Sequence, residues 1–344
     1  MRRWIPVLVA HLLGCGGPDA PRDAGAAPTW RDALGPTEAA TDATDGAVPP
    51  PEVDLVPFLA GEFHRVYTPP DGRYLNDHTV LPGPDGRWHL LGITDESTGN
   101  PWGEESFLHA TANDLLGPWT PQPDALRGEP SQGEGCCVWA PHVVRLDAGT
   151  YVMFYTTPQG GTGQRRATSP DLQGWTRVAV DRDEARRPPG GRDGFLLRDG
   201  DRWLLYSTGV SADRRGQLVV TETREDPSET TSWSRPPRVV LEDPKPNYDW
   251  GNLESPFVVP YRGRYYLFTT RTGPGPSDYT RTYVFRSRVP ERFAWEPITE
   301  LRGHASEVVL AGGRMFVTSG GWTSALGERN RGLLVAPLAW APAP

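Results

Sequence analysis

Asp77, Asp193 and Glu254 each stand at the head of an apolar run, and His142 and His304 head two more. Three carboxylates sharing one neighbourhood can do acid–base chemistry on a glycosidic bond. That reaction needs one protonated carboxyl to protonate the leaving oxygen. It needs a second, ionised one to attack the sugar or to activate water. Environment must hold the two proton affinities apart, and a third charge nearby helps to do so. A single charged residue at a strand start is ordinarily a solvated loop end. Asp, Asp and Glu at one phase of a repeat, with His in the other two copies, point instead to a shared site.

The elements that position them form that repeat. Each copy is a polar residue, an apolar strand, a Gly- or Asp-containing turn and an aromatic-rich second strand. The first runs from Asp77 through Leu81 to Trp88–Leu91, and the second from His142 to Tyr151–Tyr155. The third runs from Asp193 through Leu197 to Trp203–Tyr206, and the fourth from Glu254 through Val259 to Tyr265–Phe268. The fifth runs from His304 through Leu310 to Met315–Val317. Apolar, β-prone runs around a Gly turn read as hairpins. Each is followed by more strand-like sequence closing on Trp119, Trp175, Trp233, Trp295 or Trp340. The leading residues 77, 142, 193, 254 and 304 lie 65, 51, 61 and 50 apart, the period of a four-stranded propeller blade. No amphipathic helix of useful length separates the strands, which removes an α/β reading. The expected fold is all-β, a five-bladed β-propeller with four-stranded antiparallel blades. First strands line the axis of a propeller, so the five leading residues are expected to converge on one end of its channel.

Asn76-Asp77, Trp139-Ala140-Pro141, Arg192-Asp193 and Glu254-Ser255-Pro256 resemble, in order and spacing, the furanosidase clan of five-bladed propellers. That clan holds glycoside hydrolase families 43 and 62, with families 32 and 68 as relatives, and the resemblance covers about residues 60–340. It implies Asp77 as general base, or as nucleophile in a family 32-like enzyme. It implies Asp193 as the group that orients the acid and raises its pKa, and Glu254 as general acid. Asn76, Trp139, His142, Arg192 and His304 are the expected substrate-binding residues. His304 sits where family 43 members often carry a His near the channel centre, sometimes on calcium, so a structural Ca2+ is a possible addition; no cofactor is required. His142 stands where family 43 arabinanases have Asp, His78-Thr79 where family 32 has Pro and Asn, and Gly194 where Pro is common. The resemblance is therefore to the clan, with an inverting family 43-like reaction preferred over a retaining β-fructosidase.

Other residues carry blander readings. His78 should face away from Asp77 by the period of a strand. His89, among apolar neighbours, reads as a satisfied core histidine. Glu307 is expected to face away from His304 in a supporting ion pair. Arg192 could bind a sugar hydroxyl or pair with a carboxylate. Trp102, Trp139, Trp250 and Trp322 fall in loops near strand starts, where core filling outweighs sugar stacking for any given one. The adjacent Cys136 and Cys137 are expected to be two thiols rather than a strained vicinal disulfide.

Arg2-Arg3, the apolar run Trp4–Leu13 and Leu12-Leu13-Gly14-Cys15 describe an export signal that resembles a bacterial lipobox. Residues 1–14 are the expected signal, with a lipid on Cys15. Residues 15–55, rich in Pro, Ala and Asp, read as a disordered tether, and 56–344 as the catalytic propeller. The implied location is the cell envelope, at the outer membrane or the periplasmic face. Gly 39, Pro 37 and Trp 13 among 344 residues fit a turn-rich β protein. A net charge of −8 argues against nucleic acid as partner. A monomer meeting a glycan is expected. No phosphate loop, His-Glu-x-x-His or Gly-x-Ser-x-Gly motif is present. The sequence leaves three functions open: a glycosidase on arabinose-, xylose- or fructose-containing glycans, a catalytically weak sugar-binding lipoprotein, and a protein-binding scaffold.

Overall fold

The computed structural model describes residues 54–96, 100–146, 149–158, 163–180, 187–229, 233–246, 252–272, 279–321 and 332–343. The export signal, Cys15, nearly all of the tether, Trp250 and Trp322 lie outside the described residues. Two N-terminal strands, β1 (Leu55–Leu59) and β2 (His64–Tyr67), precede the first blade. That blade is β3 (His78–Pro82), β4 (Trp88–Thr94), β5 (Ser106–Ala112) and β6 (Trp119–Arg127). The second is β7 (Trp139–Arg145), β8 (Tyr151–Thr156), β9 (Gln164–Ser169) and β10 (Thr176–Arg177). The third is β11 (Phe195–Asp199), β12 (Arg202–Val210), β13 (Arg215–Thr223) and β14 (Arg238–Pro246). The fourth is β15 (Leu253–Tyr261), β16 (Arg264–Arg271), β17 (Arg281–Ser287) and β18 (Thr299–Arg302). The fifth is β19 (Glu307–Ala311), β20 (Arg314–Ser319) and β21 (Leu333–Pro342). All pairings are antiparallel and each of the first four sheets is a meander of consecutive strands.

Burial explains the residue choice along each blade. Second strands such as β8, Tyr-Val-Met-Phe-Tyr-Thr, are buried at every position. They sit between two neighbouring blades, so both faces are apolar and the two-residue alternation disappears. Outer strands such as β6 and β18 are mostly exposed or half-buried. Side chains from facing blades fill the spaces between them. Phe195, Leu204, Phe257, Phe268, Val308 and Val317 join blades three to five, and Leu91, Phe107, Val143 and Met153 join blades one and two.

The fifth blade departs from the expected pattern. Trp340 lies on its third strand, and the outer strand is β1, paired from Leu55↔Pro342 to Leu59↔Leu338. β2 also pairs β21, through His64↔Val335. The beginning of the propeller thus closes its end. Asp54 reinforces the clasp by accepting from Arg264 Nε at 3.2 Å and Arg286 Nη2 at 3.0 Å. Arg286 Nη1 also donates to the Leu55 carbonyl at 3.0 Å.

Candidate active site

Each blade contributes consecutive residues at the head of its inner strand to one axial pit. They are Asp77-His78, Ala140-Pro141-His142, Asp193-Gly194-Phe195, Ser255-Pro256-Phe257 and Ala305-Ser306-Glu307. The first residue of this unit has a left-handed backbone in four blades: Ala140 (φ 48), Asp193 (φ 59), Ser255 (φ 50) and Ala305 (φ 48). Non-glycine residues adopt that region at a cost, so its recurrence marks a backbone held by its surroundings. Threonine hydroxyls do part of the holding. Thr156 Oγ1 accepts from Asp193 N at 3.1 Å, and Thr270 Oγ1 accepts from Ala305 N at 3.1 Å. In β7 and β15 the ladder bulges across these positions, which re-aims the preceding side chain.

This geometry corrects the single-phase expectation. Asp77 and Asp193 open the pit-lining unit, whereas Glu254 and His304 lie one residue earlier, with Arg192 and Trp139. His142 lies last in the unit. Its ring packs 4.5 Å from Phe195 and 6.3 Å from Phe257, and its Nδ1 is 3.7 Å from Glu307 Oε1. Glu307, expected to face away, therefore points into the channel, where its Oε2 also accepts from Val80 N at 3.3 Å.

The predicted carboxylates are joined in one hydrogen-bonded chain. His304 Nε2 lies 3.1 Å from Asp77 Oδ1. Ser255 Oγ donates to the same oxygen at 3.0 Å, and Ser255 N donates to Asp193 Oδ2 at 3.1 Å. Arg192 Nη1 donates to Asp193 Oδ2 at 2.7 Å and Nη2 to Glu254 Oε1 at 2.8 Å. Arg192 thus pairs with two carboxylates, one of the two roles left open by the sequence. Ser255 is the residue that sequence reasoning missed as a participant; only its bulged, left-handed backbone brings both its N–H and its hydroxyl onto the aspartates.

The environment splits the two aspartates. Burial pushes the Asp77 carboxyl up, but the bond and charge of His304, the Ser255 hydroxyl and Arg192 outweigh it and hold it below its ordinary 3.8. Burial pushes Asp193 up to about 7, opposed by Arg192 and reinforced by Asp77 and Glu254. Burial would lower His304, yet the Asp77 contact and the other carboxylates raise it above 6.5. Tyr279, which no repeat register singles out, faces His304 with ring centres 5.2 Å apart. Burial and the nearby Glu254 carboxylate push its phenol up.

The remaining predicted residues take supporting places. Asn76 is buried and donates to Glu104 Oε1 at 3.3 Å. Trp139 is half-buried, with its indole N–H on the Pro101 carbonyl at 3.0 Å. His78 lines the pit and meets Thr318 Oγ1 at 2.8 Å. His89 is a satisfied core histidine, 2.9 Å from His109 Nε2 and 3.1 Å from Asp85 Oδ1. Cys136 and Cys137 form a disulfide, against the expectation of two thiols. Calcium takes six to eight oxygens. His304 offers nitrogen, its Nε2 is committed to Asp77, and the described residues hold no group of three or more metal-ligating side chains. Among the described residues, the side chains do not supply such a set of oxygens.

No family profile and no curated protein matches the chain. Solved structures do. A thermostable family-43 glycoside hydrolase is 18% identical with a TM-score of 0.58, covering 79% of this chain and 91% of its own. The GH43_1 enzyme from Xanthomonas citri is 15% identical with a TM-score of 0.57, covering 80% and 90%. An α-L-arabinanase from Cellvibrio cellulosa, complexed with arabinohexaose, is 12% identical with a TM-score of 0.56, covering 77% and 91%. The chain therefore has the five-bladed fold of family-43 glycoside hydrolases.

Proposed function

We propose that the protein is a glycoside hydrolase acting on arabinose- or xylose-containing oligosaccharides and polysaccharides. The observation that carries this is the chain His304–Asp77–Ser255–Asp193–Arg192–Glu254, which joins three carboxyls from three blades through hydrogen bonds in different charge environments. Asp77, held ionised, takes a proton from water as it attacks the anomeric carbon. Glu254 protonates the leaving oxygen. Asp193 acts through Arg192, fixing the position of Glu254. The likeness to family-43 structures favours inversion, in which the base activates a water on the face of the sugar opposite the leaving group. Solved neighbours with this fold include a β-xylosidase/α-arabinofuranosidase crystallised with xylotriose and an exo-1,5-α-L-arabinanase, which favours pentose chains over fructans.

The test is hydrolysis of aryl pentosides and of arabino- and xylo-oligosaccharides. Asp77→Ala and Glu254→Gln should each lower turnover at least about 100-fold in protein shown by circular dichroism to be folded. Full activity in either variant overturns the assignment. The anomer released first, read by NMR, separates inversion from retention. We also infer export and anchoring through Cys15. The Cys136–Cys137 disulfide suits an oxidising compartment, and mass spectrometry of the mature N-terminus tests the lipid.

A further inference from the structure

Trp102 is the most exposed large hydrophobic side chain among the described residues, at 58%. An indole left open to water is costly on a mobile loop and unremarkable on a scattered surface. Here the segment beneath it is pinned from several sides. Asn100 Oδ1 accepts from Trp102 N at 3.3 Å, capping the short 3₁₀ turn Pro101–Gly103. The Trp139 indole donates to Pro101 O, and the two indole rings lie 5.7 Å apart. Cys137 Sγ approaches the Trp102 carbonyl at 3.2 Å. A disulfide sulfur carries no hydrogen, so this is a sulfur–oxygen contact from the Cys136–Cys137 bridge and not a hydrogen bond. Glu104 anchors the far side by accepting from Tyr74 Oη at 2.6 Å and Asn76 Nδ2.

These anchors also fix where the indole stands. Asn76 precedes Asp77, and Trp139 precedes the pit-lining Ala140. Trp102 therefore stands outside the pit, on a segment between β4 and β5 whose anchors Asn76 and Trp139 adjoin pit-lining residues. A flat apolar face already ordered before binding loses little conformational freedom when a ligand lands on it, and the C–H face of a neutral sugar ring is the complementary shape.

We propose that Trp102 is a stacking platform for a sugar ring of the glycan beyond the ring cleaved in the pit, held rigid by Trp139 and the Cys136–Cys137 disulfide. The proposal rests on the hydrolase reading for its ligand class. It is tested with Trp102→Ala and Trp102→Tyr on a single-ring aryl pentoside and on xylohexaose and arabinohexaose, alongside calorimetric binding of the two hexaoses. The platform predicts that Trp102→Ala raises hexaose KM and Kd roughly three- to tenfold, leaves kcat and the aryl pentoside untouched, and is rescued by Trp102→Tyr. The pair Cys136→Ser/Cys137→Ser should weaken hexaose binding in the same direction. Unchanged hexaose binding in Trp102→Ala, or equal losses on short and long substrates, overturns the platform. A parent that binds the hexaoses through Trp102 without cleaving them leaves the platform standing and removes the hydrolase. A parent that cleaves them with no contribution from Trp102 does the reverse. Neither binding nor cleavage removes both.

Discussion

At the scale of single residues, the decisive contact is His304 against Asp77. The imidazolium favours the carboxylate and the carboxylate favours the imidazolium, so both charged forms persist over a wider pH range than either would alone. The lowered Asp77 value contributes stability that is complete above about 3.8 and is lost as pH falls through its folded value. The raised His304 value contributes stability that is complete below 6.5 and is lost as pH rises through its folded value. In His304→Gln the acid limb of kcat/KM against pH should move upward by about one pH unit or more. The fall in melting temperature on the alkaline side should diminish with it. An unmoved acid limb would mean that Asp77 is not the base. The convergence of Asp77, Asp193 and Glu254 was legible from order and spacing. Their wiring was not, because Arg192 and Ser255 act through backbone turns that residue type does not announce. Glu307 was misplaced for the same reason: counting by two from His304 fails once Ala305 is left-handed.

At the scale of elements, the inner strands are bent where they meet the pit, and glycine lets neighbouring backbone press against the bend. Gly321, at φ 144, packs on the His304 ring; a methyl there would sit 2.6 Å from its Cδ2. Gly321→Ala should displace the ring from Asp77. It should cost about 1–3 kcal/mol of stability, measured by denaturant unfolding, and lower kcat/KM about tenfold or more. Wild-type kinetics in a folded variant would show that the ring position does not matter. The hairpins themselves were legible: apolar pairs such as Phe195–Asp199 with Arg202–Val210 surround Asp199-Gly200 turns that announce them. The short outer strand Thr176–Arg177 was marked only by Trp175 before it, since an exposed edge needs no apolar pattern.

For the molecule as a whole, period and pattern disclosed five blades, but the ring closure was hidden. Nothing in Leu55–Leu59 says that its partner lies nearly three hundred residues away, because pairing is a property of two segments and a local pattern describes one. Asp54→Ala removes the carboxylate that Arg264 and Arg286 share, and should cost about 1 kcal/mol given its partial exposure. Trp340→Ala, which empties the space against Tyr261 and Tyr266, should cost about 3 kcal/mol. Thermal unfolding checks both, and equal small effects would show that the seam is not a point of weakness. The seam has a temporal side as well. During synthesis β1 emerges first and must wait, its edge unsatisfied, until β21 arrives to receive it. Until then four complete sheets can assemble while the circle stays open. Completion comes from the oldest and the newest stretches of polypeptide together, so a chain cut short near Leu333 would leave its earliest strand with nowhere to go.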